Sequence, residues 1–309
     1  MRAIILAAGV GTRLGPLGKV TSKAALPLLG KALITRVYES MVGLVDSVVV
    51  VVNPADEHIQ KVLTTDPWNT RSVEIAFQIE PLGSADALRV ALPMIDGPSM
   101  VTACDNLMSG DYLRAFIEYF RSEQLDALVG VARVPQDVES PSSIVSLDES
   151  GAVKTIIEKP KSSQRLSETM ALPLYAFKSS FFAELSELQR SERNEYEIPL
   201  AIQNLINRGG EVRGFLAHDR ITINSPKEYL FAVQRVLDEA GSVQVHPGAI
   251  LAQDSELRAP VFIEDKAVIC SNAIVGPHAY IMSGSHVGSK AVVSYSIVFR
   301  GSEIRSKQI

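Results

Sequence analysis

Glycines at positions 9, 11, 15 and 18 share the stretch LAAGVGTRLGPLGKVTSKAALPLLGKALI (residues 6–34) with Arg13, Lys19 and Lys23. Glycine has no Cβ, so the backbone N–H groups of AAGVGT can approach phosphate oxygens closely. Arg13 offers a planar fork suited to two phosphates. Lys23 is a mobile point charge that can meet negative charge as it builds on a phosphoryl group. The chemistry open to this set is the grip of a polyphosphate and the transfer of a phosphoryl-centred group. Two common phosphate loops do not fit. A G-x-G-x-x-G fingerprint needs glycine where Leu14 stands. A G-x-x-x-x-G-K-[ST] loop ending at Gly18-Lys19 would need glycine at Arg13 and a hydroxyl at Val20.

The elements that must carry these residues follow from hydrophobic patterning. AIILAAG, VDSVVVVVN (45–53), SVEIAFQ, SMVTACD and LDALVGVARV read as buried strands. Helical patterns such as SADALRVALPMI and GDYLRAFIEYFRSEQ fill the intervals, which predicts βα units and a mostly parallel sheet covered on both faces. Between 140 and 180 shorter strands, SSIVSLD, AVKTIIEKP and ALPLYAF, imply a mixed sheet. Helical patterns return at EIPLAIQNLINRG and at SPKEYLFAVQRVLDEAG, the latter with a serine cap, an early proline and a glycine stop. Asp105 falls just past a buried strand, where α/β sites gather.

After Gly241 the period becomes six. Val245, Leu251, Leu257, Ile263, Ile269, Val275, Ile281, Val287, Val293 and Phe299 recur at that interval. A hexad fits one flat side of a triangular parallel β-helix with the aliphatic residue pointing inward. Residues 1–240 are therefore read as an α/β domain and 241–309 as a short β-helix of about three turns. Val268, Ile274, Tyr280, Val292 and Val298 are expected on its outer faces, where the α/β domain of the same chain or the β-helix of a second copy would cover them; a homo-oligomer is the favoured reading.

The N-terminal stretch resembles the signature of sugar-nucleotide pyrophosphorylases, LAAGxGTRLxPLTxxxPKxLLPxxxKPLI. Gly18, Ser22 and Ala32 depart from it without removing a charged group. The resemblance runs through most of residues 1–240, and hexapeptide tails are common in the family. It implies a Rossmann-like nucleotidyltransferase domain followed by a left-handed parallel β-helix. It further implies a Mg²⁺-dependent transfer in which a sugar 1-phosphate displaces pyrophosphate from an NTP. Arg13, Lys23 and Asp105 inherit catalytic roles. Leu6, Ala8, Gly9, Gly11, Thr12, Arg13, Gln78, Pro81, Gly83 and Ser84 inherit the nucleotide. Asp105 and Asn224, the latter in ITINSPKEYL, inherit the metal. FQIEPLGSADAL resembles the base-recognition segment, in which Gln78 would offer a donor and an acceptor to uracil or thymine, so UTP or dTTP is expected. IIEKP matches V-E-K-P, giving Glu158 and Lys159 the sugar 1-phosphate, with Glu195 beside them.

The resemblance thins on the sugar side. Ser142-Ser143 stand for Y-G, Ala171 and Pro173 for the asparagine and glycine of N-x-G-[IL]-Y, and Pro199-Leu200 for T-D. An unusual acceptor is one reading; a non-catalytic nucleotide-sugar-binding regulatory homologue is the alternative. A third is an acyltransferase, with His246, His278 or His286 as base, because such β-helices often carry one.

Composition bounds the rest. A net charge of −5 argues against nonspecific nucleic-acid binding. The two cysteines, Cys104 and Cys270, form neither a CxxC site nor a disulfide framework. No apolar run reaches the ~18 residues of a membrane span, and the short apolar start followed by GTRLGPLGK does not read as a signal peptide. The expected compartment is the cytoplasm.

Overall fold

The computed structural model describes residues 1–9, 11–65, 68, 73–135, 142–161 and 167–308, and the Thr12 side chain lies outside that set. The chain divides into two compact units. The first comprises Met1–Thr12, Pro16–Leu26 and Leu33–Ile221; the second comprises Arg13–Gly15, Pro27–Ala32 and Thr222–Ile309. The sequence boundary at 240 marks where the hexads begin, and the helix before it groups with them.

The first unit is built on strands β1 (Arg2–Leu6), β2 (Ser47–Val52), β3 (Val73–Phe77), β4 (Ser99–Ala103), β5 (Ala127–Arg133), β6 (Ser143–Leu147), β7 (Val153–Glu158), β8 (Thr169–Phe177) and β9 (Val212–Leu216). Seven of them form one sheet in the order β9-β5-β8-β4-β1-β2-β3. All its pairs are parallel except those of β8, which runs antiparallel to β4 and β5. Val48–Val52 of β2 are all at most 3% exposed. A run of valines without polar alternation is what a strand covered on both faces requires. Helices α1 (Leu33–Met41), α2 (Ser84–Ala91), α3 (Gly110–Ser122) and α4 (Ile198–Asn207) lie in this unit. The buried faces of α2 and α4 join the same apolar cluster as Val49, Val51, Val101 and Val129.

Register shifts in β8 between Ala171 and Tyr175, the interval that holds Pro173. Proline has no N–H to give to a ladder, so the pairing with β5 breaks there. Strands β6 and β7 form a separate antiparallel pair that sets Glu158 opposite Ser143.

The second unit contains helix α5 (Pro226–Ala240) and the coils that follow. Ser225 Oγ accepts from Glu228 N at 3.2 Å, the Glu228 carboxylate accepts from Asn224 N, and Gly241 closes the helix at φ +61°. These are the two halves of a capped N-terminus and a left-handed C-terminal stop. Beyond it, parallel strands stack into three sheets of four, four and three strands, the parallel β-helix that the hexads predict and a fit to the left-handed one that the resemblance implies. Ile263, Ile269, Val275, Ile281 and Val287 fill its interior.

The hexad reading fails in the last coil. Val261 sits opposite Ala279, a step of 18 residues, but Ala279 sits opposite Ser296, a step of 17. The coil is one residue short, so Val298 and not Phe299 points inward, at 4% exposed. Phe299 lies instead with its ring centroid 6.3 Å from that of Tyr229 on α5. Val298 is thus no outer-face residue. Tyr280 is not available either: it is fully buried, accepts from Gly30 N at 3.1 Å and donates to the Glu264 carboxylate. A polar amide at position 298 would be buried without a partner. Val298→Asn should therefore cost about 2–4 kcal/mol in urea unfolding, whereas Phe299→Leu should cost less than half as much; the reverse order would put Phe299 inside.

Candidate active site

Lys23 and Asp105 meet in the first unit. Asp105 follows β4, whose register with β1 is extended by Cys104 N donating to Leu6 O at 3.1 Å. The Lys23 ammonium donates to Asp105 Oδ2, and the two side chains are 14% and 11% exposed. Leu6 ends β1, and Ala7 N donates to Val51 O at 2.8 Å, so the glycine loop starts from the middle of the sheet. Ala8 is buried and Gly9 exposed, with open space around a Cβ built at Gly9. Gly11 adopts φ +66°, a conformation that favours glycine. Cys104, next to Asp105, has its thiol pushed up to about 12 by burial and then by the Asp105 charge, so it stays a neutral thiol.

The segment expected to read the base lies after the edge strand β3. Gln78 N donates to Val52 O at 2.9 Å, and the residue is 4% exposed. Its Nε2 donates to Gly83 O at 3.1 Å and to Asp86 Oδ2 at 2.8 Å. Both amide hydrogens are consumed internally, which corrects the expectation that Gln78 offers a donor outward. Gly83 precedes α2 with φ +116°, and a Cβ there would lie 2.3 Å from Tyr196 O. The contact is closed by Tyr196 N donating to Leu82 O at 2.8 Å and Ala85 N to Tyr196 O at 2.9 Å. Ser84 Oγ accepts from Ile198 N at 3.1 Å, which gives it a cap on α4 to hold. Pro81 is exposed.

The sugar-side residues gather around Arg193. Glu158 ends β7, whose Ile156 N donates to Gln203 Oε1 of α4 at 2.9 Å. Arg193 Nη2 donates to Glu197 Oε1 and lies 3.6 Å from Glu195 Oε2, while Nη1 donates to the Glu158 backbone oxygen at 3.4 Å. Lys159 is exposed, at φ +43°, with its N–H donating to Ser142 O at 2.7 Å. Ser143 Oγ donates to Ala171 O at 3.1 Å, so two positions that depart from the family pattern bond to each other. Sequence reasoning missed Glu197, 6% exposed, and Arg193. The only signal was EYE directly before a helix start, where Glu197 occupies the cap position.

Arg13 and Asn224 belong to the second unit, where Arg13 Nη2 donates to Asn224 Oδ1 at 3.2 Å. Asn224 Nδ2 donates to Thr222 Oγ1 at 3.0 Å. The three histidines of the acyltransferase reading are tied locally. His278 pairs with Asp238 at 2.6 Å, His286 with Cys270 Sγ at 3.3 Å, and His246 lies 3.6 Å from Asp265.

Burial, and then the nearby Glu197 charge, raise the Glu158 carboxyl to about 7, against weaker pulls from Arg193 and Lys159. Between its ordinary 4.5 and about 7 the folded chain holds a proton that the unfolded chain has lost. Stability should therefore fall as pH rises through that window, by up to about 1.4 kcal/mol per pH unit from this group, and level off above it. Urea midpoints at pH 5, 6, 7 and 8 should show that component in the wild type and lose it in Glu158→Gln. Parallel profiles for the two proteins would remove Glu158 as its source.

Comparison with known proteins agrees with the geometry. A family model described as nucleotidyl transferase matches residues 2–221. The UTP--glucose-1-phosphate uridylyltransferase AglF of Haloferax volcanii is 30% identical, over 77% of this chain and 98% of its own length. A glucose-1-phosphate thymidylyltransferase from Streptomyces griseus is 26% identical, over 98% of this chain and 88% of its own. A crystal structure of UDP-glucose pyrophosphorylase complexed with UDP-glucose shares the fold, with a TM-score of 0.66 at 20% identity over 77% of this chain and 98% of that one. With a part-buried lysine–aspartate pair following a glycine loop at the head of a mostly parallel sheet, and a family match across most of its length, the chain belongs to the nucleotidyl transferase family, among the sugar-nucleotide pyrophosphorylases.

Proposed function

We propose that this chain joins UTP or dTTP to a sugar 1-phosphate in a Mg²⁺-dependent reaction, forming an NDP-sugar and pyrophosphate. The observation that carries the reading is the Lys23–Asp105 pair beside the glycine loop. A sugar-phosphate oxygen forms a bond to the α-phosphorus as the bond to the bridging oxygen of pyrophosphate breaks. No covalent intermediate is needed, because positioning and charge neutralisation supply the catalysis. In this reading Lys23 meets charge on the α-phosphoryl oxygens, and the glycine-loop N–H groups hold the remaining phosphates. Asp105 fits a magnesium ligand: it is a carboxylate already held against a cation, at 8% exposure, with oxygen donors only. Bound there, the metal would neutralise phosphate charge. Glu158, Glu195 and Lys159 face the acceptor sugar 1-phosphate in this reading.

The test is purified chain with Mg²⁺, each of four NTPs and a panel of sugar 1-phosphates, scored for pyrophosphate release. UTP or dTTP should lead. Lys23→Ala should lower kcat by at least about 10²-fold with a smaller change in NTP affinity, and Asp105→Asn should be nearly inactive. Nucleotide binding without any pyrophosphate release across the panel would favour the regulatory homologue instead.

We also propose that the chain assembles as a homo-oligomer through its β-helix. Ile250, 63% exposed, and the half-buried outer residues Val268, Ile274 and Val292 supply apolar faces that a second copy would cover. Light scattering should give a mass of at least two chains for the wild type and one for a variant carrying Ile250→Glu and Ile274→Glu. An unchanged assembly in that variant places the interface elsewhere.

A further inference from the structure

Gln78 is a buried amide with an asymmetric set of partners. Its nitrogen carries two hydrogens, and both are committed, to Gly83 O at 3.1 Å and to Asp86 Oδ2 at 2.8 Å. Those partners are a carbonyl and a carboxylate, which can only accept. The amide is therefore locked with its nitrogen turned inward. Its Oε1 accepts no hydrogen bond from the described residues, yet it is not among the buried polar atoms without partners, so it still reaches solvent. The buried side chain presents one group outward, an acceptor.

Asp86 holds that polarity. It sits in the first turn of α2, whose cap position is Gly83, with no side chain to satisfy the helix start. A carboxylate is favourable there, so one group both stabilises the helix and fixes the amide. Were residue 86 a donor, it would draw the Gln78 oxygen inward against the Gly83 carbonyl, which still needs the nitrogen, and the outward group would no longer be fixed.

We infer that Asp86 is a positioning residue that sets base choice through Gln78, so that the base edge must donate a hydrogen bond. This rests on the pyrimidine reading proposed above. Uracil and thymine carry an N–H at the 3-position and satisfy Oε1. Cytosine presents a bare nitrogen acceptor at that position, which leaves two acceptors facing each other. The pocket thus takes UTP or dTTP and rejects CTP. A site that hydrogen-bonds its ligand discriminates most strongly when a mismatch leaves its own polar group unpaired.

The test is calorimetric binding of UTP, CTP and GTP to the full chain with Mg²⁺. The wild type should bind UTP more tightly than CTP. Asp86→Ala should narrow the UTP/CTP affinity ratio by about tenfold, because one amide hydrogen loses its anchor. Gln78→Glu alone sets two carboxylates against each other and should weaken UTP by a similar factor. Gln78→Glu combined with Asp86→Asn should recover part of the UTP preference, since the asparagine donates to one glutamate oxygen and the other stays outward, while the Gly83 carbonyl, left without its donor, limits the recovery. A role for Asp86 in helix stability alone predicts no such recovery. An unmoved ratio in Asp86→Ala, or a double variant no better than Gln78→Glu, overturns the inference while leaving the pyrimidine reading intact. A wild type that prefers GTP overturns the pyrimidine reading and the inference with it.

Discussion

The first unit is organised around an ion pair that its own sheet makes costly. Strands β1, β2 and β4 are buried along almost their whole length, so charge in this part of the sheet is held at strand ends. Asp105 stands at such an end with 8% of its surface exposed. A carboxylate so placed needs a cation, and removing either partner of a buried pair leaves the other uncompensated. Lys23 is that cation. The glycine loop between β1 and Lys23 brings the lysine back over the sheet, and Cys104 fills the adjoining position as an uncharged thiol.

That arrangement also explains how binding a polyanion can be favourable in a chain of net charge −5. A phosphate group approaching Lys23 would meet an ammonium whose side chain is only 14% exposed and is held in place by Asp105. The surrounding strands resist rearrangement, so the charge is in place before any ligand arrives.

Much of this was legible from residue order. The valine run announced a fully covered strand, the Ser225 and Gly241 signals bracketed α5, and the glycine–arginine–lysine spacing pointed to phosphate chemistry. What was not legible depends on contacts between distant segments. Nothing in the hexads shows that the last coil is one residue short, because Val298 and Phe299 are both apolar and only the strand pairing separates them. Nothing in FQIEPLGSADAL shows that Gln78 has spent its hydrogens, because the Asp86 carboxylate reaches it only once α2 has formed. Arg193 is an ordinary surface arginine by sequence; it becomes part of the site because β7 and the start of α4 bring Glu158 and Glu197 to it.

The close approach of Gly83 to the Tyr196 carbonyl has a consequence for how such a protein can change. The segment proposed to read the base and the segment that carries Glu195 and Glu197 are stitched backbone to backbone by the bonds of Leu82 and Ala85 with Tyr196. They cannot be exchanged as independent cassettes. A chimera that imports residues 78–86 from a relative also imports a surface shaped for that relative's own 195–198 turn. Donor and acceptor preference therefore drift together, and a lineage that alters one inherits pressure to alter the other.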